Sequence, residues 1–433
     1  MVVALLVGLL AAGISIGRLW LANPAAPQEV LWAEDGLFPL CIRKADFFSC
    51  LAEPYAGYFL FSPRVLAWPV EVLPWEYWAL ASNVLAAILA GLVAAFVVTI
   101  VRRAGLNWYV SIAIALLPFI APISGLEAIN SVSSVYMLLL FAASLAVVLP
   151  VIAVSSKKWS IAIGLLLLIT ALTIPLAVVL IPILLLQWLR RATGRFQSLT
   201  WIAAVVVGLG VQATTALSAD APRAIYFGQT TLTSWADSIP VALLTYWPGL
   251  SLGEFSFFVR FSYSPLPITG WLIAAGLLFG GCALVIRGWK QMHSWKAPAG
   301  MLILAGLLFG FIPTAISLAN NRYFVVPLAL WGAGLLMILE PSISNARPWI
   351  TATATGLVLV IWWPAVPASE YRSTPAPPWT EEVQRIEAKC LSDPAFIDRP
   401  IFTPFWPPNW GDGLIEPTHP NLPCTTVRRW LDP

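Results

Sequence analysis

Long apolar runs, separated by short polar connections, fill most of the chain. A helix needs about 20 predominantly apolar residues to cross the hydrocarbon core of a bilayer. Runs of this kind occupy 1–22, 77–101, 133–153, 199–217, 266–287, 297–316, 323–340 and 349–366, with a shorter one at 108–123. The run 159–189 is too long for one crossing. Thr173 and Pro175 interrupt it, so two short helices with a break between them are expected. The pattern predicts an all-α polytopic membrane protein with about eleven transmembrane helices. Residues 1–22 lack a basic leading region, and Asn23-Pro24-Ala25-Ala26-Pro27 follows, so this run reads as an uncleaved first spanning helix.

The polar segments fall into two kinds. Arg102, Arg103, Lys157, Lys158, Arg190, Arg191, Arg195, Arg287, Lys290, Lys296 and Arg347 lie in short connections with almost no acid apart from Glu340. All of these fall on one side if 159–189 crosses twice, and that side is expected to be the cytoplasm. The N-terminus is then cytoplasmic and the C-terminus extracytoplasmic, in a multi-pass protein of the plasma or inner membrane. Residues 23–76, on the other side, carry Glu29, Glu34, Asp35, Asp46, Glu53, Glu71 and Glu76 against Arg43, Lys44 and Arg64. Within this loop, 58–73 mixes aromatic and aliphatic residues with Arg64 and Glu71 and is punctuated by prolines. That pattern suits interfacial helices lying along the membrane. The loop 218–264 contains an apolar stretch, 241–252, that can lie on the membrane or dip into it.

The chain therefore divides into a transmembrane body, 1–366, and a Pro- and charge-rich tail, 367–433, expected as a small extracytoplasmic cap. Residues 379–390 have a helical look, with Thr380 able to cap and Val383, Ile386 and Leu391 at helical spacing.

Composition sharpens this picture. The chain is 59% hydrophobic and only 10% charged, against roughly a quarter charged in soluble domains, so lipid must be its solvent over much of its length. Its 22 Trp suit headgroup-level positions. A net charge of +3 without a basic patch excludes nucleic-acid binding. Of the five cysteines, Cys282 lies in an apolar run. Cys41 with Cys50 and Cys390 with Cys424 are natural pairs for an oxidising compartment, and cross-pairing between loop and tail stays open. The two histidines, His293 and His419, offer neither a metal cluster nor a relay. Phosphate-cradling Gly-rich loops, dinucleotide fingerprints and serine nucleophile elbows are absent from the sequence. The scarcity of charge within the spanning helices argues against an ion-coupled transporter.

Candidate chemistry sits at the start of the first loop, in Trp32-Ala33-Glu34-Asp35-Gly36. A loop acid just outside a helix can deprotonate a hydroxyl or hold a divalent cation such as Mg or Mn. It can equally be a turn or helix cap. Trp32, Phe38, Tyr55 and Tyr58 supply faces that suit a sugar. Arg64 and Arg322 are candidates for phosphate, which guanidinium grips bidentately; the alternative is snorkelling to headgroups. Arg322 lies in Asn320-Asn321-Arg322-Tyr323 between two apolar runs. In Gly125-Leu126-Glu127-Ala128-Ile129-Asn130, Glu127 and Asn130 can share a helical face.

The layout resembles that of the C-type-fold integral-membrane glycosyltransferases, which use polyprenyl-phosphate sugar donors. The resemblance covers 1–366 architecturally. Glu34-Asp35 occupies the position of the family's acid motif, here without a spacer, and Asn321, Arg322 and Tyr323 resemble its Arg-Tyr segment. It implies inverting transfer of a sugar from polyprenyl phosphate to a glycan or glycolipid acceptor of the cell envelope. Asp35 or Glu34 would be the general base, Arg322 and Arg64 the phosphate ligands, and Trp32, Tyr55, Tyr58, Glu127, Asn130, Asn321 and Tyr323 the substrate contacts. Two rival expectations are a lipid-linked saccharide flippase and a non-catalytic envelope-assembly protein.

Overall fold

The computed structural model describes residues 2–22, 29, 31, 35–44, 46–55, 58–120, 129–132, 136–149, 157–190, 195–218, 286–287, 289–290, 296–315, 325–345, 378–392, 397–398 and 422–424. Its helices are α1 Val2–Ala22, α2 Leu37–Lys44, α3 Phe47–Ala52, α4 Phe61–Glu71, α5 Trp78–Arg103, α6 Trp108–Ile120, α7 Tyr136–Val148, α8 Lys157–Thr173, α9 Leu180–Arg190, α10 Arg195–Ser218, α11 Lys296–Ala315, α12 Val325–Asn345 and α13 Trp379–Ser392. Short 3-10 segments, Trp75–Tyr77 and Pro175–Val179, precede α5 and α9. Ile397–Asp398 and Leu422–Pro423 form an antiparallel pair.

Among the described residues, three helices are long and apolar enough to cross a membrane: Val2–Trp20, Trp75–Arg103 and Gln197–Ser218. The apolar helices Trp108–Ile120, Tyr136–Val148, Pro175–Leu189, Lys296–Gly310 and Val325–Pro341 are shorter. The expected number of crossings is therefore not established. The predicted run 349–366 and most of 266–287 lie outside the described residues, as do the expected apolar stretch 241–252 and most of the loop around it.

Helix α7 is buried along its whole length, Tyr136 to Val148. It packs against α5, α8 and α12, which explains why it is apolar all round. Helices α1 and α5 meet at glycines. A methyl group on Gly8 would lie 2.7 Å from the Gly91 carbonyl oxygen, and one on Gly91 would lie 2.8 Å from that of Gly8. The outward faces are apolar too. Leu80, Val84, Ile88 and Leu92 make one exposed stripe down α5, and Leu5, Leu6, Leu9 and Leu10 do the same on α1. In water such stripes would be costly, and in lipid they are ordinary.

Arg102 and Arg103, at the end of α5, pack on tryptophan rings of the following segments. The Arg102 guanidinium lies 4.6 Å from the ring centre of Trp108, and that of Arg103 lies 4.4 Å from the ring centre of Trp159. Asn107 Nδ2 donates to Glu340 Oε1 at 3.1 Å, drawing in the end of α12. Gly105, with φ 99°, ends α5 there in the left-handed conformation. From this end α5, with 26 residues, runs about 39 Å back to the shelf and α13.

The predicted break near Pro175 is present. Helix α8 ends at Thr173, Ile174 is extended with φ −134°, and Pro175 opens a 3-10 turn. Proline removes a donor and pushes the preceding residue out of helical geometry. The loop rests on this break. Gln212 Nε2, on α10, donates to the carbonyls of Phe59 (3.0 Å) and Leu172 (2.7 Å), while its Oε1 accepts from Phe59 N (3.0 Å). Ser62 N donates to Thr173 Oγ1 at 3.2 Å. The shelf is α3 and α4, and its outward edge is apolar. Phe48 is 77% and Trp68 54% exposed, and Val72, Leu73 and Tyr77 continue that edge toward the α5 stripe.

Both disulfides join neighbours within their own segment: Cys41 pairs with Cys50, and Cys390 with Cys424. Helix α13 docks on the shelf. Trp379, Val383, Ile386, Cys390 and Cys424 share a core with Leu31, Leu40, Val70, Trp75 and Trp78. Thr380 corrects one expectation. It lies inside the first turn, where Glu382 N already donates to the Pro378 carbonyl at 3.1 Å. Its hydroxyl instead donates to Glu29 Oε2 at 2.5 Å, so it ties the tail to the loop rather than capping the helix.

Candidate functional site: a buried polar cluster at the end of the first helix

The last turns of α1 carry two buried polar residues, Ser15 and Arg18, three positions apart and so on one face. Ser15 Oγ donates to the carbonyl of Ile129 at 2.9 Å. Asn130 Nδ2 returns the contact, donating to the Ser15 carbonyl (2.5 Å) and to Ser15 Oγ (2.7 Å). Arg18 Nη1 donates to the carbonyl of Phe119 at 3.0 Å, near the end of α6. The chain leaving α6 and the chain returning at 129 are thus both fixed to the same face of α1.

Asp35 meets this cluster from the other side. It directly precedes the turn that opens α2, with Leu40 N donating to the Gly36 carbonyl at 3.3 Å. A carboxylate there is favoured by the helix N-terminus. Asp35 is only 3% exposed, and Oδ1 accepts a 2.7 Å hydrogen bond from Ser131 Oγ. Ser15, Asn130 and Ser131 are fully buried, and Arg18 is 2% exposed. Removing a carboxylate from water is costly unless it is hydrogen-bonded and offset by positive charge. The hydroxyl of Ser131 supplies the hydrogen bond that this burial requires.

Arg64 lies on α4 and is buried. Its Nη1 donates to the Leu51 carbonyl at 2.8 Å, and the guanidinium carbon is 5.7 Å from the ring centre of Phe38, one turn beyond Asp35. Burial pushes its pKa down to about 10, partly offset by the nearby Glu53 and Tyr55, so it stays charged at neutral pH. Phe38 packs edge-on against Tyr55, with centroids 5.5 Å apart. Tyr55 and Tyr58 are joined by two backbone hydrogen bonds of 2.9 Å. Both tyrosines are partly buried and packed against the main core.

Of the residues singled out from sequence, the structure brings Asp35 and Asn130 together through Ser131, and Arg64 and Tyr55 together through Phe38, with Tyr58 alongside. Glu34, Trp32, Glu127, Asn321, Arg322 and Tyr323 lie outside the described residues. Sequence reasoning missed Ser15, Arg18 and Ser131. Arg18 had a readable signal, as a charge within the first spanning run, where ionisable residues are rare and face the bundle interior. Ser15 and Ser131 had none. Among the described residues, no group of three His, Cys, Asp or Glu could hold a metal ion. A magnesium-type cation needs one or two carboxylates together with substrate phosphate oxygens. Asp35, with Glu34 beside it in sequence, supplies donors of that chemistry.

No family model matches the chain, and no curated protein matches it. Among solved structures, it is similar to the oligosaccharyltransferase of Archaeoglobus fulgidus in the apo form, with TM-score 0.48 and 12% identity over 90% of this chain and 58% of that one. It is also similar to the same protein in complex with Zn and sulfate, with TM-score 0.44 and 14% identity over 88% of this chain and 55% of that one. The chain therefore spans little more than half the length of those proteins.

Proposed function

We propose that the chain transfers a sugar from a polyprenyl-phosphate donor to a glycan or glycolipid acceptor, at the membrane face where Asp35 lies. One observation supports this above the others. A buried carboxylate, oriented by a hydroxyl and set among polar groups at the end of a spanning helix, borders a shelf of aromatic rings and a buried guanidinium.

Asp35, or Glu34 beside it, takes the proton of the acceptor hydroxyl. The acceptor oxygen attacks the anomeric carbon, the bond from that carbon to the phosphate oxygen breaks, and polyprenyl phosphate leaves with the electron pair. Attack opposite the leaving group inverts the anomeric centre. Arg322 and Arg64 bind the leaving phosphate and stabilise its growing charge. Trp32, Tyr55, Tyr58, Glu127, Asn321 and Tyr323 are the proposed sugar contacts. A divalent cation at Glu34 and Asp35 would add charge stabilisation.

The test is incubation of purified protein with a panel of polyprenyl-phosphate sugars, with and without chelator, followed by product analysis. Asp35→Asn is expected to leave the fold intact and lower turnover at least about 100-fold, the range for loss of a general base. Near-normal turnover by the Asp35→Asn, Glu34→Gln double variant removes the proposed base. A flippase would bind and move the lipid without product, and an assembly protein would lose function on loss of the tail rather than of Asp35.

A further inference from the structure

We infer that Ser131 is a positioning residue for Asp35, and that Asn130 and Ser15 set its register against α1. The kinetic part of this inference rests on the proposed transfer reaction, whereas the pairing itself does not.

Ser131 has no side-chain length to spare. Its hydroxyl reaches Asp35 Oδ1 at 2.7 Å only if the backbone of 129–131 is held at one height along the bundle. Three contacts hold it there: Ser15 Oγ to the Ile129 carbonyl, and Asn130 Nδ2 to both oxygens of Ser15. All three residues are fully buried, where a hydrogen bond left unmade costs more than at a surface. The 129–131 register is fixed against α1 by these bonds. The carboxylate is consequently referenced to α1, the helix that ends just before the acid loop, by a route through space and not along the chain.

This arrangement changes what Asn130 does. Its amide nitrogen is engaged with Ser15 of α1, and on this reading it acts through Ser131 and Asp35. A group that fixes a general base without touching substrate affects the transition state more than substrate binding. Its loss therefore lowers kcat and leaves KM nearly unchanged. A substrate contact at Asn130 would instead raise KM.

The experiment has two arms on the full-length purified protein. In the first, Ser131→Ala is expected to lower kcat about 10- to 100-fold with KM within about twofold, as for a displaced base. Ser131→Thr, which keeps the hydroxyl, is expected to restore most of it. Asn130→Ala is expected to show the same split to a smaller degree. An unchanged kcat in Ser131→Ala, or a rise in KM alone, overturns the positioning role. The second arm needs no substrate. The fall in Tm caused by Ser131→Ala is measured in the native background and in Asp35→Ala. The pair is coupled if the fall largely vanishes without the carboxylate. Equal falls in both backgrounds overturn the inference. Should no donor be turned over by the native protein, the transfer reaction fails, and this arm alone decides whether Ser131 holds Asp35.

Discussion

The indole rings of Trp78 and Trp379 lie nearly parallel, 10° apart in plane and 6.4 Å between centroids, although 301 residues separate them in sequence (379 − 78). Trp78 opens the long helix α5, and Trp379 opens the C-terminal helix α13. Trp379 Nε1 also donates to the Trp75 carbonyl at 2.5 Å, and its backbone N to the Glu29 carbonyl at 2.8 Å. The Arg43 guanidinium, 5.2 Å from the Trp78 ring centre, completes the stack and is paired with Glu71 at 3.1 Å. The tail helix thus closes over the same loop that leads to Asp35.

Removal of Trp379 should open this junction. Trp379→Ala deletes a fully buried indole, and such truncations cost about 3–5 kcal/mol. The whole-protein Tm is expected to fall less than the local stability, because the main helical core does not include this residue. Limited trypsin digestion checks this: cleavage at Arg385 and Lys389 in α13 should accelerate by at least tenfold relative to the native chain.

The two disulfides should differ in weight. Cys390–Cys424 closes a sequence separation of 34 and Cys41–Cys50 one of 9. Chain-entropy reasoning gives about 3.8 kcal/mol for the longer loop and about 2.6 kcal/mol for the shorter. The Cys390→Ser, Cys424→Ser pair is therefore expected to loosen α13 more than Cys41→Ser, Cys50→Ser loosens α2 and α3. Hydrogen exchange, read separately over 379–392 and 37–52, distinguishes the two.

Packing of α1 on α5 leaves no room for a side chain at its closest point. Gly91→Val places atoms against the Gly8 backbone carbonyl, which cannot rotate away. The helices must separate, at a cost of about 1–3 kcal/mol typical of overpacking. A lower Tm in detergent is the expected result. Gly13→Ala is the control, since nothing lies within 4 Å of a methyl group there.

The membrane body was legible in the sequence because lipid acts on every residue of a run alike. A long apolar stretch carries its own signature, and so does its interruption: the break before Pro175 and the helix from Trp379 fall where pattern and proline chemistry put them. The acid loop was legible as well, since charge is rare in this chain. Less legible were residues whose role depends on a partner. Thr380 has the composition of a cap, yet a distant carboxylate, Glu29, draws its hydroxyl away. Gln212 sits in an apolar helix with no periodic signal, and the docked loop at Phe59 together with the open carbonyl of Leu172 accounts for it.

The sequence alone determined that this chain lives among lipid, that its helices break where they do, and that Glu34 and Asp35 open its first large loop. Those features follow from local composition and backbone chemistry. Tertiary structure decided that Asp35 is buried against Ser131, that Arg18 and Asn130 brace the same corner, and that each disulfide stays within its own segment. The pairings of that corner bring together positions up to 115 residues apart. A serine that holds a carboxylate has the same formula as one that merely fills space, and only its position beside Asp35 tells them apart.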